Sequence, residues 1–411
     1  MNSYDAIIIG AGPSGMMAAI TASNRGRNVL ILEKMPSPGK KLLISGKGRC
    51  NLTNAGTIDK FLKKFSSSGI FLRNAFARFF NDDLCGFFEE AGCALKTERG
   101  ERVFPSSDKS SDILDVLTKL LKKNGVKIIY NEDVIDILLC QDNSKCVVTK
   151  NSRKYFAPAV VICTGGFSYP GTGSTGFGFK LAEKLGHTVN APKPALVALV
   201  TKSDMPKRLM GVSLENVCCS VACEGKTIES RFGDMLFTHF GLSGPIILDL
   251  SATVYDLLEV KKAVFISINL KPALDIKKLD ARLQREFLAQ PNKIMKNVFE
   301  ELLPRRLVME FLKYSGLDPS KKANQITKSE REKLVRNLFD LRFEIIRTKS
   351  IKDAIITRGG VSTKEINPQT MESKIIKGLY FAGEVIDVDA KTGGYNMQAA
   401  FSTGYVCGEN L

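Results

Sequence analysis

Two glycine-rich stretches match the pattern of a phosphate-binding turn. They are GAGPSG at 10–15 and GTGSTG at 171–176, and both read G-x-G-x-x-G. In such a turn the first glycine permits the bend, the second lets a pyrophosphate approach the backbone, and the third lets a helix pack closely on a strand. Each stretch is therefore a candidate for holding phosphate groups against the positive end of a helix.

The first stretch lies between the elements that a dinucleotide site requires. YDAIIIG (4–10) predicts a buried strand, a helix of small residues follows and ends at Gly26, and NVLILEK (28–34) predicts a second, parallel strand. An acid ends that strand at about the 20-residue spacing of a ribose-binding carboxylate, which favours the unphosphorylated ribose of FAD or NAD. The residues predicted to bind the dinucleotide here are Gly10, Gly12, Pro13, Ser14, Gly15, Glu33 and Lys34.

The second stretch lacks this context. The strand before it, AVVIC (159–163), is followed by seven residues, TGGFSYP, before the first glycine of the stretch. No second strand–helix–strand unit with a suitably spaced acid follows. We therefore predict one dinucleotide fold, with the second stretch forming a loop that leads into a helix close to the first site. A separate domain for NAD(P)H is not expected.

Composition narrows the class of protein. With 411 residues the chain is long enough for two or three domains. No apolar run reaches the length of a membrane span and the N-terminus lacks the features of a signal peptide, so we expect a cytoplasmic protein without a membrane partner. Ten cysteines without a C-x-x-C pair, and two histidines, favour reduced thiols and disfavour a zinc site.

The net charge of +16 raises the question of a nucleic-acid partner. Residues 271–350 hold 19 Lys and Arg against 11 Asp and Glu, about half of the excess. There the charges alternate with apolar residues at helical spacing, and acids are mixed among them. This pattern favours a solvated helix face, so nucleic acid is a disfavoured partner and a small-molecule substrate is expected; the sequence leaves monomer and homo-oligomer open.

Changes in residue pattern along the chain predict four segments. Residues 1–190 and 350–411 have the features of a nucleotide-binding domain, residues 191–272 are expected to form several short strands, and residues 273–349 are expected to be helical. Asp275 is a predicted N-cap, and Thr327-x-x-Glu330 a predicted capping box, in the helical segment. The sequence therefore predicts a nucleotide-binding domain that is interrupted by a long insert.

Several motifs together resemble the BaiN-like (YhiN-like) bacterial FAD-dependent oxidoreductases, a family that includes aminoacetone oxidase. The resemblance implies an α/β fold: a Rossmann-like FAD-binding domain of the GR2 type, interrupted by a β-barrel-like insert and a helical subdomain. The motifs are GAGPSG, GKKLLISGKGRCNLTN (39–54), ERVFPSSDKSSDIL (101–114), CTGGFSYPGTGSTGFGFKLAEKLGH (163–187), MLFTHFGLSGP (235–245) and the stretch 357–408.

The resemblance implies FAD as the cofactor and names further residues that contact it. One departure is Lys47, which stands where the family's SGGGRCN loop usually has its middle glycine and adds a cation near the flavin. The start of the last helix, at Gly393-Gly394, is expected to face the pyrimidine edge of the flavin and to favour its reduced form. These further residues are Lys41, Gly46, Lys47, Gly48, Arg49, Cys50, Asn51, Thr164, Gly165, Gly166, Gly383, Glu384, Asp387, Gly393, Gly394, Tyr395, Asn396 and Met397.

Four residues are candidates for catalysis, each with a structural alternative. Cys50 is a candidate redox thiol or a small lining residue. His239 is a candidate proton shuttle or a structural histidine. Tyr169 and Tyr395 are candidate proton donors or packing aromatics.

The expected reaction is hydride transfer between a substrate carbon and flavin N5. We favour NAD(P)H-driven reduction of an activated C=C of the 3-oxo-4-ene steroid or bile-acid type, with NAD(P)H binding only transiently. One alternative is oxidation of aminoacetone or another small amine by O₂. An alternative of another class is an FAD-containing protein that binds or modifies RNA.

Overall fold

The computed structural model describes residues 4–411, apart from the side chain of Ser67, and divides into two compact units. The first unit consists of the chain up to Pro194 together with Ile351–Leu411, and the second is Ala195–Ser350. Within the described residues, no helix is long and apolar enough to cross a membrane. The finer domain boundaries expected from the sequence stay a prediction.

Helices and strands are interspersed along the first unit, whereas the second unit contains runs of consecutive strands and of consecutive helices. The helices are α1 (Pro13–Asn24), α2 (Lys40–Ile44), α3 (Ile58–Leu62), α4 (Arg73–Arg78), α5 (Asn81–Glu90), α6 (Ser110–Lys123), α7 (Phe177–Lys184), α8 (Met205–Arg208), α9 (Pro245–Glu259), α10 (Ile276–Ala289), α11 (Met295–Phe299), α12 (Arg305–Tyr314), α13 (Lys328–Phe339) and α14 (Tyr395–Glu409). The strands are β1 (Ala6–Ile9), β2 (Val29–Leu32), β3 (Thr53–Asn54), β4 (Leu95–Glu98), β5 (Arg102–Pro105), β6 (Lys127–Ile129), β7 (Val134–Leu139), β8 (Lys145–Thr149), β9 (Lys154–Ala157), β10 (Ala159–Ile162), β11 (Val189–Ala195), β12 (Leu199–Thr201), β13 (Ser213–Cys223), β14 (Lys226–Thr238), β15 (Gly241–Ser243), β16 (Val264–Asn269), β17 (Leu341–Thr348), β18 (Ile356–Val361) and β19 (Leu379–Phe381).

A five-stranded parallel sheet organises the first unit. Its order is β19-β10-β1-β2-β6, and every neighbouring pair is parallel. The central strands AIII, VLIL and AVVI are buried at every position, as expected where helices cover both faces of a parallel sheet. The carboxyl ends of these strands therefore meet at one edge, where ligands of such sheets bind.

Helices α1 and α14 pack closely against each other beside this sheet. Small residues allow the approach: a Cβ added at Gly404 of α14 would lie 2.3 Å from the backbone O of Ser14 in α1. The C-terminal helix is thereby held against the helix that follows the glycine turn. The two ends of the described chain thus build one site.

Three smaller sheets complete the first unit. Two are antiparallel, with the orders β3-β5-β4 and β7-β8-β9, and the third pairs β11 with β18. The short β-runs expected at 126–130, 134–139 and 145–149 are present as β6, β7 and β8.

The second unit is built on a closed six-stranded barrel. Its strand order is β12-β15-β14-β13-β16-β17, and all its pairings are antiparallel. Buried side chains of the barrel and of helices α9 to α13 form one hydrophobic core. The expected α/β fold with a β-barrel-like insert is confirmed.

Local helix signals in the second unit are confirmed. The Asp275 carboxylate accepts a hydrogen bond from Lys278 N at 2.8 Å and caps α10. Thr327 and Glu330 form the capping box of α13. These features were predictable because a cap depends on residues close together in the chain.

Three element predictions were wrong. Strands were expected to return after about residue 350, but β17 already begins at Leu341 and pairs with β16 and β12. The 15-residue helix α9 lies in the segment 191–272, which was expected to contain short strands. The loop expected at 37–54 contains the short helix α2. In the first two cases the local signals were present but not used: β17 alternates buried and more exposed residues over Leu341–Ile345, and α9 has buried apolar residues at helical spacing.

Candidate functional site

The glycine turn joins β1 to α1 as the sequence predicts. Gly10 has φ +105°, and a Cβ at this position would lie 2.6 Å from Cys163 O at the end of β10, so another residue would be both strained and crowded. Gly12 is the N-cap of α1 and Pro13 begins the helix. A Cβ at Gly12 would meet no atom within 4 Å, so the backbone here is open to a ligand.

The carboxylate of Glu33 lies at this turn. Its Oε2 accepts a hydrogen bond from Ala11 N at 2.6 Å, and its Oε1 accepts one from Met35 N at 2.8 Å. Burial raises the pKa of Glu33, while the two backbone bonds act in the opposite direction. Each carboxylate oxygen can accept a further hydrogen bond, so ribose hydroxyls fit this position.

The second glycine stretch lies beside the first site. Lys34 Nζ, at the end of β2, donates to Thr175 Oγ1 at 2.9 Å. A Cβ at Gly173 would contact the Met35 side chain at 3.2 Å. Within residues 4–411 one parallel sheet of this type is present, so the stretch is a loop of the same fold and leads into α7.

A network around Glu384 links three segments of the first unit. Lys41 Nζ lies 2.6 Å from Glu384 Oε2 and 2.7 Å from Ser168 Oγ. Thr357 N donates to Glu384 Oε1 at 2.8 Å, and Ser168 Oγ donates to the same oxygen at 3.2 Å. Glu384 is thus engaged by protein donors, and it orients the loops that surround the carboxyl ends of the strands.

The segment after β10 lies beside this network. Thr164, Gly165 and Gly166 follow the strand directly, and the next residue, Phe167, donates its N–H to Thr357 Oγ1 at 2.7 Å. Thr357 was not among the predicted residues, although it opens the motif 357–408. Its contact ties β18 to the sheet edge.

The loop after α2 has an unusual backbone. Gly46 and Lys47 both adopt left-handed conformations, with φ 57° and 59°. Lys47 is exposed, and such a conformation costs a residue with a side chain about 1–2 kcal/mol. The glycine usual at this position in the family would avoid this strain. Gly48 follows, with φ 84°.

Arg49 is engaged by protein groups. Its guanidinium donates to Glu98 and lies 2.5 Å from Asp108 Oδ1. Its Cζ also lies 4.2 Å from the centre of the Phe104 ring. The hydrogen bond from Arg49 lowers the pKa of Glu98. The geometry therefore gives Arg49 a role in holding this loop on the small β3-β5-β4 sheet.

Cys50 and Asn51 face the interior. Cys50 is fully buried, and burial raises the pKa of its thiol to about 12, which favours the small packing role over a redox thiol. The Asn51 side-chain amide is oriented so that both its oxygen and its nitrogen are hydrogen-bonded. In this orientation Asn51 Oδ1 accepts a hydrogen bond from Gly394 N at 3.0 Å. Its Nδ2 donates to Thr53 O at 3.0 Å and to Val103 O at 3.2 Å. Asn51 therefore joins the loop to the start of α14.

The first turn of α14 is clamped from two sides. Asn396 Oδ1 accepts from Ala390 N and its Nδ2 donates to Ala390 O, each at 2.9 Å. Asn54 Nδ2 donates to Gly393 O at 3.3 Å. The side chain of Asn396 is thus structural, while the first N–H groups of the 15-residue helix have no partner within the helix itself and provide its positive end.

The remaining predicted residues of the C-terminal segment are packed or paired. Tyr395 is 7% exposed, and its ring meets Phe61 edge-on at 4.8 Å, which favours the packing alternative. Met397 packs against the hydrophobic core. Asp387 Oδ2 accepts from Asn190 Nδ2 at 2.7 Å.

Tyr169 and His239 are the exposed catalytic candidates. Tyr169 adopts φ 51° in the first unit, and the residue is 37% exposed. His239 is exposed on the turn between β14 and β15 of the second unit and stacks edge-on with Phe240. Their catalytic roles stay predictions.

These features fit FAD. The open backbone at Gly12 suits a pyrophosphate, the buried Glu33 suits a ribose, and the start of α14 suits a ring that gains negative charge on reduction. A Cβ added at Gly383 would lie 2.5 Å from Ser14 Oγ. The absence of a side chain at Gly383 therefore lets the C-terminal segment lie close to the glycine turn. Sequence reasoning missed the polar residues that join these parts, because only the folded chain brings them together. They are Asn54, Ser168, Thr357 and Gln398.

The chain matches known proteins along nearly its whole length. Residues 4–410 match the family described as HI0933-like protein Rossmann domain. The chain is 33% identical over 411 residues to the ribosomal RNA dihydrouridine synthase of Escherichia coli (strain K12), covering 100% of this chain and 98% of that protein. It is 30% identical over 403 residues to the 3-dehydro-bile acid delta(4,6)-reductase of Clostridium scindens, covering 98% of this chain and 97% of that protein.

A solved structure shares the fold. It is the 3-ketosteroid delta1-dehydrogenase from Sterolibacterium denitrificans, with a TM-score of 0.53 and 13% identity, covering 100% of this chain and 99% of that chain. The matched family, the whole-length relatives and the dinucleotide-binding geometry agree with the resemblance described from the motifs. The chain therefore belongs to the HI0933-like family and is an FAD-dependent oxidoreductase.

Proposed function

We propose that this enzyme reduces a uracil base of ribosomal RNA to dihydrouracil, using NAD(P)H as the source of electrons. The observation that carries the proposal is the whole-length similarity to a ribosomal RNA dihydrouridine synthase, at an identity that shows the family. A second protein of that name, from Haemophilus influenzae, is 31% identical over 410 residues. The relatives thus support the RNA-modifying alternative over the steroid-type reductase that the sequence favoured.

The chemistry of the two kinds of relative is shared. Uracil has a C5=C6 bond conjugated to its C4 carbonyl, and a 3-oxo delta(4,6) bile acid has C=C bonds conjugated to a ketone. Both are activated for attack by hydride. FAD held at the Gly12 turn and the start of α14 would supply hydride chemistry, with NAD(P)H as the source of electrons. The positive end of α14 and the Glu384 network with Lys41 are the parts of this chain that orient the site.

The distribution of charge is compatible with an RNA substrate. In the helical part of the second unit several cations are paired, as Arg331 is with Asp280 and Lys321 is with Glu330. This local pairing explains why the sequence pattern favoured a solvated helix face. Despite this local pairing, the whole chain has a net charge of +16, and a net positive charge promotes association with a polyanion such as RNA.

Product analysis tests the proposal. The purified enzyme is incubated anaerobically with NADPH or NADH and a ribosomal RNA transcript that carries only unmodified uridine, and the digested nucleosides are analysed by mass spectrometry. We expect dihydrouridine, which is two hydrogen atoms heavier than uridine. The control is Gly12→Asp, which places a carboxylate at the open end of α1 and is expected to prevent FAD binding and product formation.

The bile-acid reductase relative supports a second candidate, reduction of a 3-oxo-4-ene steroid. Androst-4-ene-3,17-dione is therefore tested in parallel, and aminoacetone is tested under air with detection of peroxide. Reduction of the steroid without any dihydrouridine in RNA would replace the proposed function by this candidate. Peroxide formed only with aminoacetone would assign the enzyme to the amine oxidases.

A further inference from the structure

Buried carboxylates of the first unit differ in how well they are satisfied. Glu33 accepts from two backbone N–H groups, and Glu132 accepts from Thr149 and, at 2.8 Å, from Arg153. Asp389 is 8% exposed, and its Oδ1 has no hydrogen-bond partner within the described residues. A buried oxygen without a partner is costly, so it points to a missing ligand or to a bound proton.

Asp389 lies beside the start of α14. Phe65 and Ala390 form an antiparallel bridge, and Ser66 N donates to Asp389 O at 2.9 Å. The next residue, Ala390, is held at both its N and O by the Asn396 side chain in the first turn of the helix. Asp389 is therefore fixed next to the start of α14, the helix end that we expect to face the flavin ring.

The surroundings of Asp389 favour its protonated form. Burial raises the pKa of Asp389, and the nearby Asp387 acts in the same direction. A hydrogen bond from the Ser66 side chain and the charges of Arg358 and Lys391 oppose this, but burial is the largest effect. A carboxyl group with a raised pKa keeps its proton to a higher pH than a free aspartate, and in that form it can act as an acid.

We propose that Asp389 is the acid that protonates the substrate carbon when the conjugated C=C is reduced. This inference rests on the proposed function, because it requires a substrate that accepts a hydride and a proton. The carbon next to the carbonyl takes the proton of Asp389, and the other carbon takes the hydride. The carboxylate that remains regains a proton from water, and NAD(P)H supplies the two electrons.

Other candidates fit this role less well. Cys50 is fully buried, with the pKa of its thiol near 12. Tyr395 is packed against Phe61. Tyr169 is exposed, so water competes with it as a proton source.

Half-reactions of Asp389→Asn test the inference. Asparagine keeps the shape and the acceptor for Ser66 but carries no acidic proton. The enzyme is reduced anaerobically with NADPH and mixed with the unmodified ribosomal RNA transcript or with androst-4-ene-3,17-dione, while flavin absorbance is followed. We expect D389N to be reduced at the wild-type rate and to be reoxidised by substrate about 100-fold more slowly or worse. The wild-type reoxidation rate should fall as pH rises, and that of D389N should not.

The matched control is Asp136→Asn, which removes a carboxylate on β7 that is paired with Lys184 at 2.5 Å. It should leave both half-reactions unchanged. Reoxidation of D389N at the wild-type rate, or with the same pH dependence as the wild type, would overturn the inference. If the steroid reoxidises the enzyme and RNA does not, the proposed RNA function fails and the comparison of D389N continues on the steroid.

Infrared spectroscopy gives a readout that needs no turnover. The difference spectrum between wild-type holoenzyme and D389N at neutral pH should contain the C=O band of a protonated carboxyl group. Absence of this band would overturn the inference even if neither substrate reacts. Its presence, lost when the pH is raised, would support it.

Discussion

Substitution of Gly404 by alanine has two opposing effects on the free energy of unfolding, one from helix propensity and one from packing. Gly404 lies inside α14, where alanine is intrinsically favoured over glycine by about 1 kcal/mol. The added Cβ would lie 2.3 Å from the backbone O of Ser14. Because the obstacle is backbone, α1 would have to shift as a whole, and overpacking of this kind costs about 1–3 kcal/mol. We therefore expect G404A to lower the free energy of unfolding by up to about 2 kcal/mol.

Gly86 provides the matched control. It also lies inside a helix, α5, but a Cβ there would meet no heavy atom within 4 Å. Propensity then acts alone, and we expect G86A to raise the free energy of unfolding by up to about 1 kcal/mol. The two glycine-to-alanine changes should thus have opposite signs.

Denaturant unfolding followed by circular dichroism measures both variants, with and without added FAD. Because α1 carries the glycine turn, G404A should also weaken FAD binding, whereas G86A should not. Equal stability of the two variants, or a more stable G404A with wild-type FAD affinity, would refute the packing argument.

Three further outcomes are expected. Lys47→Gly should raise the free energy of unfolding by up to about 1 kcal/mol because it removes left-handed strain, as measured by the denaturant midpoint; a less stable variant would contradict this. Lys41→Met should lower the free energy of unfolding by about 1–2 kcal/mol and weaken FAD binding, because Glu384 loses its partly buried partner. Lys41→Arg should retain most of the stability and most of the FAD affinity. Burial lowers the pKa of His187, so the folded protein keeps this ring neutral, bonded to Ser373, below the unfolded pKa of about 6.5. Its contribution to stability should be complete above that pH and decrease as pH falls towards the folded pKa, and His187→Gln should flatten this part of the profile.

Features that depend on neighbouring residues could be predicted from the sequence. The β1–turn–α1–β2 unit with Glu33 follows from apolar runs, glycine spacing and one acid. The caps at Asp275 and Thr327 follow from residues within one turn of each helix. Such signals are local, so no knowledge of the rest of the chain is needed.

Features that depend on distant parts of the chain were decided by the tertiary structure. β17 closes the barrel by pairing with β12 and β16, which are distant in sequence, and its alternating pattern predicts a strand without showing these partners. Burial raised the pKa of the Cys50 thiol and of the Asp389 carboxyl group, and within residues 4–411 no hydrogen-bond partner reaches Asp389 Oδ1. The sequence alone predicted a dinucleotide and a place for its phosphates, because the turn is built from adjacent residues. Which side chains can hold a proton depends on desolvation, and desolvation exists only once the chain has folded.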